Sequence, residues 1–245
     1  MKFDFTPLEQ AVRTQPRQSV INEARKVLQA SYDYWTTVDT VVEHGKNGDR
    51  VLGLISQRGI DITELSKKES VMKTFVITAG HSNTDPGAVA FGRKEADIAV
   101  DMRNMVAHYL IAAGHTVVTD GDARDNQSLT NAVKLIPKGV VAVEFHCNAA
   151  TPAAKGVELL AATKHKPISK QIAKAIADVL ETTIRGEDGW KPENSGQHSR
   201  LAYVQGGGII CEIFFITNAT ELAAWDAKKW LCAKAVAQAL IDYYV

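Results

Sequence analysis

Beyond Val71 the chain alternates short, almost wholly apolar runs with longer segments whose apolar residues recur every three or four positions. No other feature constrains its fold as much. Residues 74–78 are a β-branched and aromatic run that stops at Ala79-Gly80, which reads as a buried strand followed by a turn. Residues 95–113 then carry Ile98, Met102, Met105, Val106, Tyr109 and Leu110 at helical spacing, with Gly114 as a C-cap. Further strands are expected over 116–119, 139–145, 157–161 and 209–216. Ile168, Ile172, Ala175, Ile176, Val179 and Leu180 line one face of a second helix, and 219–243 form a last one. The run 139–145 is nearly all apolar and so belongs in the middle of a sheet covered on both faces. The alternation predicts an α/β fold, a mostly parallel twisted sheet flanked by helices. Sites in such sheets lie at the carboxyl ends of the strands.

The first part of the chain is different. Ile21, Ala24, Leu28, Tyr32 and Trp35 recur as on a helix face, Pro7 and Pro16 interrupt what precedes them, and Gly45 and Gly48 are expected in a polar turn over 43–50. Short apolar segments follow at 51–55 and 60–65. A charged stretch, Ser66-Lys67-Lys68-Glu69-Ser70, reads as a linker. Residues 1–70 are therefore expected to form a small helical module and 71–245 a larger α/β domain. Packing on the second domain is one account of the module's apolar face.

Three groups sit in or just after the expected strands: His81, His146 and Glu212. A charged residue inside an apolar strand costs several kcal/mol unless it is paired or metal-bound. Glu95 starts the first helix, after the loop that contains Asp85-Pro86-Gly87. Two imidazoles and a carboxylate suit Zn²⁺ with its fourth position open to water, so His81, Glu95 and His146 could be ligands, with Glu212 left as a base. Other divalent ions accept the same donors. Taken singly each signal is weak, since a lone histidine after a strand is more often structural. Glu144 shares the face of His146 by period 2, which allows a place near the site, although an ion pair with a helix cation is the simpler account. His198 lies in the polar loop 185–200, which is either a plain surface connection or a lip facing substrate. Cys147, Cys211 and Cys232 are an odd set without metal-site spacing and read as buried small hydrophobes.

Together these positions resemble N-acetylmuramoyl-L-alanine amidase family 3. The resemblance rests on Ala79-Gly80-His81-Ser82-Asn83-Thr84-Asp85-Pro86-Gly87-Ala88 followed by Glu95, on Glu144-Phe145-His146-Cys147-Asn148-Ala149, on Gly156-Val157-Glu158, and on Cys211-Glu212-Ile213-Phe214-Phe215-Ile216-Thr217-Asn218. It runs in order from about Thr74 to the C-terminus, which implies that 71–245 are a catalytic domain and leaves outside it the 1–70 module, which could bind the wall, regulate the site or stabilise the fold. It implies one zinc ion per chain held by His81, Glu95 and His146, with Glu212 as general base and acid. The implied reaction is hydrolysis of the amide between N-acetylmuramic acid and L-alanine in peptidoglycan. Three departures bear on substrate contacts: Ser82-Asn83 in place of Gly-Gly, Thr119-Asp120 in place of Thr-Arg, and no Arg within 128–138. Asn148, Asn218 and His198 are candidate substrate contacts, although a turn or strand-end hydrogen bond explains the two asparagines as well.

The 28 basic and 28 acidic residues cancel, so no electrostatic argument favours nucleic acid or an anionic membrane. No run is long enough for stable membrane insertion, and Met1-Lys2-Phe3-Asp4-Phe5 lacks the opening of a secretory signal. The expectation is a monomer made in a host cytoplasm and released to the wall by a holin. That is a phage endolysin, in preference to a virion-associated lysin or a host amidase. A zinc peptidase cutting the peptide stem and an inactive wall-binding module are the competing functions.

Overall fold

The structure, a computed structural model, describes residues 5–16, 19–21, 23–24, 26–27, 41–60, 72–195 and 200–244. The chain divides into two compact units, Met1–Ser70 and Val71–Val245.

The first unit contains helices α1 (Thr6–Thr14) and α2 (Val41–Ser56). Phe5, Leu8, Val12, Val20, Ile21, Ala24, Val51, Ile55 and Ile60 form its core. Both helices depart from the sequence expectation. Pro7 lies in the first turn of α1, where a missing N–H breaks no hydrogen bond, so it opens a helix instead of interrupting one. The stretch 43–50 is helical and not a turn. Each helical glycine costs only about 1 kcal/mol, and complete burial of Val51 with near-complete burial of Ile55 outweighs that local preference. Arg50 ties this helix to α1 through Glu9 at 2.7 Å and lies over the Phe5 ring. Leu28, Tyr32 and Trp35 of the expected helix face lie outside the described residues.

The second unit is a six-stranded sheet between helices. Its strands are β1 (Thr74–Ala79), β4 (Thr116–Thr119), β5 (Val141–Asn148), β6 (Glu158–Ala161), β7 (Trp190–Lys191) and β8 (Ile209–Phe215), in the order β4-β1-β5-β8-β6-β7. All neighbours are parallel except β6 and β8, which run antiparallel. A separate two-stranded hairpin, β2 (Val89–Ala90) with β3 (Arg93–Lys94), precedes α3 (Glu95–Ala112). The long helix α7 (Ala219–Tyr244) packs beside α3 and α5 (Lys166–Leu180) on one face. Between those helices and the sheet lie Phe75, Ile77, Val143, Phe145, Ile213 and Trp225. Period 2 sends Val76, Ala142 and Ile210 to the opposite face, where they meet Ala132 of α4 (Leu129–Leu135) and Tyr203 of α6 (Ala202–Gln205).

The expected sheet is present, with strand bounds moved by up to three residues. The loop 185–200 is not merely a surface connection: Trp190-Lys191 adds a strand beside β6, and the indole Nε1 donates to Ala161 O at 2.9 Å. Two residues carry no detectable period, which is why the sequence did not mark them.

Candidate functional site

The central strands β1, β5 and β8 bring their chemical groups to one end of the sheet. His81 follows β1 immediately and adopts φ +69, a left-handed conformation that a non-glycine residue rarely takes. This turn aims the imidazole back across the strand ends. Two asparagines hold it: Asn126 donates to Gly80 O at 2.8 Å, and its own N–H donates to Asn83 Oδ1 at 2.7 Å. Gly80 and Gly87 are required by close approach. A Cβ at Gly80 would overlap the His146 ring, and one at Gly87 would fall 2.5 Å from His81 Nε2.

Glu95, the first residue of α3, is pulled inward by two backbone donors, Ala88 N–H on Oε2 and Cys147 N–H on Oε1, both at 3.0 Å. Glu95 Oε1 is also 3.0 Å from His146 Nδ1 and 2.8 Å from His81 Nε2. Three donor atoms from three separate elements therefore converge, all within 4.8 Å of one another. Adjacent ligands of a tetrahedral zinc ion stand roughly 3.3 Å apart, so the spacing is close to what such an ion needs. His81 Nε2 is buried and near the carboxylate, yet it is out of line for a hydrogen bond. A metal ion is a partner that such a nitrogen can face. The charges agree. Burial alone would raise Glu95, but His146 and His81 hold its carboxyl well below the ordinary range. Burial alone would lower both histidines, yet Glu95 and Asp85 raise His81, and Glu144 and Glu95 raise His146. A divalent cation held there would supply the positive charge that the imidazoles otherwise draw from protons.

Glu212 pairs in register with His146 across β5–β8, so both side chains project from the same face. It is buried, and its Oε2 has no hydrogen-bond partner among the described residues. Burial is the main cause that pushes its carboxyl up to about 7; Glu95 and Glu158 add to this, while His146 and His81 oppose it. A carboxylate poised there can take a proton and return it near neutral pH.

Asn148 donates to Glu158 Oε1 at 3.1 Å. Asn218 caps α7, accepting from Thr220 and Glu221 N–H, and its amide donates to Pro152 O and Ala154 O. Both amides are thus engaged within the protein. His198 lies outside the described residues. Asp120 is buried, accepts from Ala79 N–H at 3.2 Å and pairs with the buried Arg103 at 3.1 Å. At this departure from the family pattern the side chain braces β1 from within. Glu144 corrects the ion-pair expectation: its Oε2 is 3.1 Å from His146 Nε2, not on a helix cation. Asp85, which the sequence marked only as part of a loop, lies 3.0 Å from His81 Nδ1. The three cysteines are free and buried. A cavity of about 320 Å³ opens beside the histidines, lined among others by Glu144, Leu129, Leu201 and Tyr203.

The family described as N-acetylmuramoyl-L-alanine amidase matches residues 75–242. A Neisseria meningitidis structure assigned as an N-acetylmuramoyl-L-alanine amidase is 50% identical, with a TM-score of 0.65, and covers 70% of this chain and 95% of that one. The catalytic domain of the amidase CwlV from Bacillus (Paenibacillus) polymyxa var. colistinus is 24% identical at a TM-score of 0.61, covering 70% of this chain and 98% of that one; at that identity it shows the fold alone. A Staphylococcus aureus protein assigned as autolysin PH is 27% identical over 214 residues, 79% of this chain. The chain spans 42% of that relative's length.

Proposed function

The chain belongs to the N-acetylmuramoyl-L-alanine amidase family, and we propose that it hydrolyses the bond between N-acetylmuramic acid and L-alanine in peptidoglycan with one zinc ion held by His81, Glu95 and His146. The observation that carries the reading is the convergence of those three donors beside Glu212, on strand ends where such sheets place their chemistry. Zinc, when bound, acts as a Lewis acid that polarises the amide carbonyl and acidifies water.

The protein's own residues do the rest. Glu212 takes the proton from the attacking water and delivers it to the departing L-alanine nitrogen, which must leave as a neutral amine. Its burial keeps the carboxylate from being levelled by bulk water. The cavity beside His81 and His146 has room for the substrate groups that flank the scissile bond. Asn148 orients Glu158, and Asn218 holds the loop 152–154; any substrate contact by either works through those neighbours.

Digestion of purified peptidoglycan, with and without a chelator and zinc add-back, tests the reading by mass spectrometry of the soluble products. Chelator-sensitive release of free stem peptides beginning with L-alanine is expected. Cleaved stems would mean a peptidase, and sacculus binding without release would mean a wall-binding module. We assign the activity to lysis of a phage-infected host, a role suited to a chain that carries one catalytic unit and one small helical unit. A gene neighbourhood without a holin or other phage genes overturns that assignment.

A further inference from the structure

Glu144 is a buried carboxyl group to which the reaction assigns no role. It lies inside β5, its side chain is 3% exposed, and its Oε2 stands 3.1 Å from His146 Nε2. The opposite nitrogen of the same ring, Nδ1, is the one that faces Glu95 Oε1 at 3.0 Å. A neutral imidazole carries one proton, so the group on one nitrogen decides what the other can do. With a carboxyl oxygen 3.1 Å from Nε2 as its acceptor, the ring proton sits on Nε2, and the Nδ1 lone pair points at the place where Glu95 Oε1 and His81 Nε2 also meet.

We propose that Glu144 is the positioning residue of His146: it fixes the Nε2–H tautomer and the ring plane, so that Nδ1 is presented as a metal ligand. This rests on the metal reading above. Glu144 cannot itself complete the ligand set from this position, because it contacts the edge of the ring that faces away from Glu95. Asp85 repeats the device on His81, accepting from Nδ1 at 3.0 Å while Gly87 N–H donates to its other oxygen. The two pairs differ in strength. Asp85 is 61% exposed and screened by water, whereas Glu144 acts in a buried, low-dielectric setting. The larger effect therefore belongs to Glu144. Gly80 contributes to the same end, since only a residue without Cβ leaves space for the His146 ring in this orientation.

The test is zinc affinity of the full chain, measured by competition with a chromophoric chelator, for wild type, Glu144→Gln, Glu144→Leu and Asp85→Asn. Outer partners of metal-bound histidines typically account for about 10–100-fold in affinity. Glu144→Leu is expected to weaken zinc within that range. Glu144→Gln, which keeps an acceptor but loses the charge, should weaken it less, and Asp85→Asn least of all. Metal-free melting curves show that the variants fold; should Glu144→Leu prevent folding, the isosteric Glu144→Gln carries the test. Proton NMR of the zinc-loaded protein should show a slowly exchanging downfield Nε2–H that Glu144→Leu abolishes, a signal a merely structural carboxylate would not produce. Wild-type zinc uptake with unchanged affinity in both Glu144 variants overturns this assignment alone. A wild-type chain that takes up no zinc overturns the metal reading and the assignment with it.

Discussion

Glu158 stands directly opposite Glu212 in the antiparallel β6–β8 ladder, so two carboxylates share one face of the sheet beside the histidines. The structure answers the repulsion with cations. Arg185 Nε and Lys191 Nζ donate to Glu158 Oε2 at 2.6 and 2.7 Å, and Asn148 donates to Oε1. Burial alone would raise Glu158, but these three donors hold it below the usual carboxylate range. Arg185→Met removes one cation and leaves more uncompensated negative charge next to Glu212, which favours the protonated form of Glu212. The acidic limb of the kcat/KM profile should therefore move to higher pH, by up to about one unit, with the alkaline limb in place. An acidic limb that stays put, or moves down, refutes the coupling.

Glu212→Gln keeps the shape of the side chain and removes its ability to accept a proton. Zinc content should remain at the wild-type level while turnover falls by roughly 10²–10⁴, the usual contribution of a positioned acid–base group. Metal analysis and stem-peptide release on the same preparation separate the two effects. Full activity in this variant removes Glu212 from the role.

The same substitution predicts a pH dependence of stability in chelator-treated protein. Between the ordinary carboxyl value and about 7, native Glu212 holds a proton that the unfolded chain has already lost. The native state then binds more protons, so this group's contribution to stability declines as pH rises through that window. Glu212→Gln should be more stable relative to wild type at pH 8 than at pH 5, by at most on the order of 3 kcal/mol. Chemical denaturation at the two pH values checks the sign.

Gly80→Ala places a methyl group where the His146 ring lies. Overpacking of this kind costs typically about 1–3 kcal/mol, and here the ring is the group that must yield. Reduced melting temperature is expected together with weakened zinc binding. An alanine variant that binds zinc as tightly as wild type would show that the ring has more freedom than the contact allows.

Arg103 and Asp120 are both fully buried at the side chain and pair at 3.1 Å, with Asp120 also accepting from Ala79 N–H beside the site. Arg103→Met strands the carboxylate in the core and should cost about 3–5 kcal/mol, the usual result of breaking a buried pair from one side. The double substitution Arg103→Met with Asp120→Leu should recover part of that loss, read as a raised denaturation midpoint.

The primary sequence determined where the five longer strands and the long helices of residues 71–245 lie, because burial of each element imprints a period of two or 3.6 on its own residues. It also placed His81, His146 and Glu212 in or just after strands, where an isolated charge or imidazole needs a partner. Which partner each one has was decided by the tertiary structure. Glu144 meets His146 Nε2 because both project from one face of β5, and no helix cation is among the contacts of its carboxylate in the described residues. Glu158 faces Glu212 only because β6 runs against β8, a direction that no local pattern records. The helix through Gly45 and Gly48 and the short strand at Trp190-Lys191 likewise contradict or escape local preference, and packing with distant residues sustains them. Periodicity reports whether a side chain is buried; only the adjacency of elements far apart in the chain settles what it is buried against.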